Sequence, residues 1–425
     1  MQTKTEIITS PRLGEAYRQI KHSSGLEMRL YPMQGFNHTY ALFATKYGSV
    51  DTCFKTGEDA DFVKVPEGVA HFLEHKMFEN EEGDAFIRYA ATGASANAYT
   101  SFDRTAYLFS CTENFAQSLE ILFDFVSRPY FTDETVEKEQ GIIGQEIKMY
   151  EDNAEFRAYF NLLDAMYHNN PVRIDIVGTE QSIAQIDKEL LYRCYNTFYN
   201  LGNMVLCVAG GFDIETVLET ADRMLSPAKD ITIERAQTDE PKSVRLDYIE
   251  QNLPVALPLF HIGFKADPAG ERDNVKNQIM DDILLEIIAG DSTPLYRRLY
   301  DEGLINSEFS GDAMSSRDYS FAVFGGESRD PARVRDEIAK EITRIKAQGI
   351  DPKLFGRYKK ASYGSYMGIF GKVESVASFM LSAHFAGVEV YSVTEMIAAL
   401  TVDDLEARLK VSFDVNRSSM SVVKP

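Results

Sequence analysis

The sequence predicts an α+β protein of two homologous domains, each a mostly antiparallel sheet flanked by helices, the pair enclosing a cleft. Three observations carry this reading. With 425 residues the chain exceeds what one ordinary core accommodates, so it divides into two domains or more. Strand-like and helical patterns alternate through both halves. Finally, Gly93 to Ser110 (GASANAYTSFDRTAYLFS) and Gly303 to Gly325 (GLINSEFSGDAMSSRDYSFAVFG) share a glycine start, a strand of small polar residues, an Asp-Arg or Arg-Asp turn and a Tyr-led apolar strand. That correspondence reads as an ancient duplication.

Element by element, the first half offers a strand at Tyr40 to Tyr47, a helix at Glu67 to Glu79, a strand at Ala106 to Cys111 and a helix at Asn114 to Ser127 with apolar residues at helical spacing. A long helix follows at Glu134 to Glu151, then a buried strand at Met204 to Gly210 and a helix at Ile214 to Leu225. Residues Ser226 to Lys242 (SPAKDITIERAQTDEPK) break the pattern: they are charged, hold two prolines and lack an apolar period, as an interdomain linker does. We set the domains at 1–228 and 243–425, with 229–242 between them. The second half repeats the theme with strands at Leu259 to Phe264 and Tyr319 to Gly325 and helices at Asp273 to Ala289 and Ala332 to Gln348.

Composition narrows the class. Hydrophobic residues at 44% and charged residues at 26%, with only 14 Pro and 27 Gly, exclude a disordered, collagen-like or low-complexity chain. The 44 basic and 65 acidic residues leave a net charge of −21, which repels a phosphate backbone and argues against nucleic acid as the main partner. Cationic ligands would be attracted, although such a charge also serves solubility alone. There is no basic start leading into an apolar stretch and no run of 18 apolar residues, so we expect neither a signal peptide nor a membrane span, and a cytoplasmic location. Cys53, Cys111, Cys194 and Cys207 are too widely spaced for a Cys-x-x-Cys metal site, need not be bridged, and read as ordinary half-buried thiols.

The chemistry lies in Gly68-Val-Ala-His71-Phe-Leu-Glu74-His75-Lys-Met-Phe-Glu79. On a helix, His71 and His75 lie one turn apart on one face, so both imidazoles can reach one metal ion. Glu74 borders that face and can touch a water on the metal without being a ligand, the place of a general base in the inverted zincin motif H-x-x-E-H. Chance is a weak competitor: a random chain of this composition would hold the pattern about 0.02 times. An amphipathic helix with solvated histidines is the bland alternative. A catalytic zinc usually takes three protein ligands and leaves a position open to water, so a third must come from elsewhere. The best candidate helix is Thr135 to Lys148, where Glu139 and Glu146 are seven apart and stack on one face. One can ligate while the other accepts a histidine N–H and fixes its tautomer. By spacing alone the pair reads equally well as a charged surface face.

H-x-x-E-H followed by E-x(6)-E, the last Glu 71 positions after the second His, resembles the insulinase and pitrilysin family of zinc metallopeptidases. The similarity runs through Glu67 to His75, Gly93 to Thr100, Val136 to Asp152, Tyr195 to Gly210 and, more weakly, the part after Lys242. Its short bacterial branch, similar to the mitochondrial processing peptidase, fits the size. The resemblance implies one zinc ion per chain held by His71, His75 and Glu146, with Glu74 as the base and Glu139 hydrogen-bonded behind a histidine. It also implies that a peptide adds as an extended strand along Ala94 to Thr100, touching Asn97, Ala98 and Thr100. Without the resemblance, those small polar residues read as a blunted sheet edge.

One departure bears on mechanism. Members that work alone carry L-x-x-x-L-R-x-x-x-G-L-x-Y in the second domain, whose Arg and Tyr help bind substrate and stabilise the oxyanion. Here the segment is Leu295-Tyr-Arg297-Arg298-Leu-Tyr300-Asp-Glu-Gly303-Leu-Ile-Asn306. Tyr300 stands at the Arg place, one residue is missing before Gly303, and Asn306 stands at the Tyr place. The expected function is therefore a zinc endopeptidase acting on extended peptides as the zinc-bearing subunit of a heterodimer, or failing that a homodimer. The alternative from another class is a non-catalytic assembly subunit of such a complex.

Overall fold

The computed structural model describes residues 2–81 and 83–425, which form two compact units. The first runs to Ile147 and adds Ile176–Ala236 and Gly368–Tyr391; the second comprises Lys148–Asp175, Gln237–Met367 and Ser392–Pro425. The change of unit at 236/237 falls within the stretch read as linker, but Ile233–Arg235 there is a strand paired with Cys53–Thr56.

In the first unit a seven-stranded sheet has the order Lys4–Ser10, Glu15–Lys21, Glu27–Pro32, Met204–Gly210, Thr39–Thr45, Thr105–Cys111, Ser95–Thr100. Only the third and fourth strands of that order pair in parallel. Met204–Gly210 (MVLCVAG) is buried at every residue, as expected of a central strand covered on both faces. Phe43 meets Phe123 of the helix Phe115–Ser127, while Val373–Phe385 packs on the central strands from the other side. Ser95–Thr100 pairs only with Thr105–Cys111 and leaves one edge open.

The second unit repeats the plan on a smaller scale. Its five-stranded sheet has the order Tyr248–Asn252, Ser418–Lys424, Leu259–Ala266, Ser320–Glu327, Ser310–Ser315, with only the first pair parallel. Ala154–Met166 packs on it, and Glu271–Ala289 brings Asp281 to a buried pair with Arg408 at 2.5 Å. Both sheets are thus mostly antiparallel and flanked by helices, as the sequence predicts.

The halves also exchange helices. Val373–Phe385, from late in the chain, belongs to the first unit, and Ala154–Met166, from early in it, belongs to the second. Each is held at its C-terminal end by a lysine: Lys46, just after the strand Thr39–Thr45, donates from Nζ to the Phe385 carbonyl at 3.2 Å, and Lys265, within Leu259–Ala266, to the Met166 carbonyl at 3.1 Å. A cation at that end answers the orphan carbonyls and the negative pole of the helix. Apolar periodicity reports that a helix has a buried face, not which sheet buries it.

Candidate metal centre

The H-x-x-E-H segment forms the helix Val69–Met77, with Val69, Ala70, Phe72, Leu73 and Met77 buried. Its start requires glycine. Gly68 has φ 90°, and a Cβ there would lie 2.7 Å from both Ile183 Cδ1 and the Val177 carbonyl oxygen. The second element is the helix Asp133–Glu151, whose buried stripe is Val136, Glu139, Ile143 and Ile147. Glu139 therefore sits on the face turned to the protein.

Between these helices the donors converge. His71 Nε2 lies 3.7 Å from Glu146 Oε1, and His75 Nε2 lies 3.5 Å from Glu146 Oε2. One ligand atom from each of the three lies within 4.8 Å of the other two. His75 Nδ1 donates to Glu139 Oε1 at 3.0 Å, which leaves its Nε2 lone pair facing Glu146. Two imidazole nitrogens and a carboxylate oxygen are a donor set that suits zinc with one position open. These residues fit the metal that the resemblance implies.

The electrostatics set the two histidines apart. Burial, and then the neighbouring His75, hold His71 down to about 3, so it is a neutral donor at working pH. For His75 burial pulls the other way from its carboxylates, but the hydrogen bond and charge of Glu139, helped by Glu146 and Glu74, outweigh it and raise the pKa. Burial raises Glu74 above the ordinary carboxylate range, against the lowering effect of a hydrogen bond from Thr100 and the charge of His75. A carboxyl with raised proton affinity beside a metal site is suited to proton transfer.

All five residues expected at the centre meet in this one unit. Of the three expected peptide contacts, Asn97 and Ala98 lie on the open edge, the Asn97 side-chain oxygen accepting the Ala98 N–H at 2.9 Å. Thr100 closes the same edge strand, and its hydroxyl donates to Glu74 at 2.7 Å. In the other unit Arg297 bonds Asp301 at 2.9 Å, Arg298 pairs with Glu337 at 2.6 Å, Asn306 donates to Glu327 at 2.7 Å, and Tyr300 is 49% exposed.

Sequence reasoning missed Lys76, which is fully buried and donates to Glu79 at 2.6 Å. Its signal was available: Lys76 follows Val69 and Phe72 by seven and four residues on the same apolar stripe. The cysteines are free thiols, but Cys111, Cys194 and Cys207 are buried and only Cys53 is half-buried; burial pushes the Cys194 and Cys207 thiols up to about 12, leaving them inert.

Comparison with known proteins agrees with this geometry. Residues 45–180 match the family described as Insulinase (Peptidase family M16), and residues 185–362 match the Peptidase M16 inactive domain. The chain is 37% identical over 426 residues to "Uncharacterized zinc protease YmfH" of Bacillus subtilis (strain 168), covering 97% of this chain and 98% of that one. It is 32% identical over 168 residues to the mitochondrial-processing peptidase subunit beta of Caenorhabditis elegans, 38% of this chain and 36% of the relative. Among solved structures, the M16-like peptidase from Alicyclobacillus acidocaldarius superposes with a TM-score of 0.92 at 35% identity, covering 100% and 99% of the two chains. Pitrilysin shares the fold, with a TM-score of 0.75 at 15% identity, over 100% of this chain and 47% of its own. With a close relative matched along nearly its whole length and both family descriptions matched in order, the chain belongs to the insulinase family of zinc peptidases, M16.

Proposed function

We propose that the chain is a zinc endopeptidase that cleaves peptides laid as an extended strand along Ser95–Thr100. The observation that carries the reading is the convergence of His71, His75 and Glu146 with Glu74 beside them, all in one unit. His71, His75 and Glu146 would hold the ion, and Glu139 orients His75. When bound, zinc supplies Lewis-acid polarisation of the scissile carbonyl and brings a water's pKa to roughly 7. The open sheet edge binds the peptide main chain and aligns the scissile bond. Glu74 takes the proton of the attacking water and passes it to the leaving amine, a contribution of roughly 10²–10⁴-fold.

The chain is further proposed to act as the zinc-bearing subunit of a dimer, preferably with a homologous partner. Arg297, Arg298 and Asn306 are engaged with acidic neighbours of their own unit, which supports a partner as the source of the oxyanion donor. Such a donor is worth roughly 10²–10³-fold. Reconstitution tests this: hydrolysis by the purified chain is expected to be slow and to rise when the product of a homologous neighbouring gene is added. Full activity of the lone chain, unchanged by the addition, overturns the heterodimer. The competing reading, a non-catalytic subunit, draws on the match of the second half to the inactive-domain description; zinc-dependent turnover that Glu74→Gln abolishes would exclude it.

A further inference from the structure

We infer that Thr100 is a positioning residue for the base: its hydroxyl fixes the Glu74 carboxylate in the orientation that accepts the proton, rather than serving as a contact to the peptide. The inference rests on Glu74 being the base. Thr100 closes the edge strand Ser95–Thr100 and stands directly opposite Thr105 of the neighbouring strand. Its Oγ1 donates to Glu74 Oε2 at 2.7 Å and lies 3.4 Å from Thr105 Oγ1. A hydroxyl has one hydrogen to give. Thr105, fully buried, gives its own to the Tyr47 carbonyl at 2.9 Å, so the Thr100 hydrogen is left for Glu74.

The placement is rigid at both ends. Beyond Thr100 the hairpin is closed by the Ser101 N–H donating to the Arg104 carbonyl at 2.8 Å and the Ser101 hydroxyl to Asp103 at 3.2 Å. Thr100 is β-branched and stiff about its first torsion, whereas Glu74 has three torsions to fix. A donor on an ionised carboxylate is among the stronger hydrogen bonds of proteins. The Thr100 backbone also bonds the Glu74 carboxylate, so the hydroxyl supplies the side-chain half of a two-point hold from one residue. The strand that aligns the peptide thereby also aims the base.

The test compares wild type, Glu74→Gln, Thr100→Val and Thr100→Ser, each loaded with zinc, on one peptide selected from a mixed library. Valine keeps the shape and removes the donor; serine restores the donor. Thr100→Val is expected to keep its zinc and its KM while kcat falls roughly 10- to 100-fold, in line with the loss of a hydrogen bond to a charged acceptor, and Thr100→Ser is expected to recover most of it. A raised KM at wild-type kcat would make Thr100 a substrate contact and overturn the inference. So would an unchanged kcat, a serine variant as slow as the valine one, or loss of zinc from Thr100→Val. If Thr100→Val does not fold, Thr100→Ala is read by the same criteria. Normal turnover by Glu74→Gln is a separate failure, that of the base itself.

Discussion

Glu139 offers the sharpest test of how the metal centre is built. Its carboxylate is 10% exposed and accepts the His75 Nδ1–H at 3.0 Å, while its neighbour two turns on, Glu146, faces both Nε2 atoms at 3.5 and 3.7 Å. Replacing Glu139 with Gln keeps an acceptor of the same size but removes the charge. The difference between a charged and a neutral hydrogen bond is about 1 kcal/mol, so zinc affinity is expected to fall about fivefold. Glu139→Ala leaves the N–H unpaired and the imidazole free to turn. Its cost belongs at the upper end of the 10- to 100-fold range typical of residues that orient metal ligands. Glu146→Ala removes a ligand outright and should cost most. Competition against a chromophoric zinc chelator at fixed pH measures all three. Wild-type affinity in Glu139→Ala would refute the reasoning, and a loss as large as that of Glu146→Ala would make Glu139 a ligand in its own right.

Other expectations concern stability. Arg408→Met leaves the fully buried Asp281 without its cation and should lower stability to urea by about 3–5 kcal/mol. The double change Arg408→Met/Asp281→Leu should recover most of it. Burial, together with Asp312, Asp281 and Glu286, raises Asp282 from 3.8 to about 8; between those pH values the folded chain holds a proton that the unfolded chain has lost. Stability should therefore fall as pH rises from 4 to 8, and Asp282→Asn should flatten that fall and be the more stable variant at pH 9, as read by thermal melts. Gly68→Ala forces a left-handed φ on a residue with a Cβ and drives it into Val177 and Ile183; a loss of about 2 kcal/mol or more in stability is expected, with weaker zinc binding.

How much of this was legible beforehand depended on whether the signal was local. The H-x-x-E-H helix and the Glu139/Glu146 face follow from 3.6-residue periodicity within single segments, and the structure places both as expected. The choice of Glu146 over Glu139 as ligand came from family resemblance, because spacing alone treats the two alike. Their distinction is tertiary: Glu139 meets Nδ1 of one histidine while Glu146 meets Nε2 of both. The Thr100–Glu74 bond joins a strand to a helix across 26 positions, and the exchanged helices lie still farther from the sheets they cover. Long-range pairing of this kind leaves no mark in apolar periodicity.

Whether this chain is a zinc peptidase is decided by metal content and peptide turnover measured together on the purified chain and its Glu74→Gln variant, with and without chelator. About one zinc is expected in each protein, lost from His75→Ala, with turnover in the wild type alone that chelation stops and zinc restores. A chain that binds no zinc, or a Glu74→Gln variant that hydrolyses peptides at the wild-type rate, would contradict that assignment.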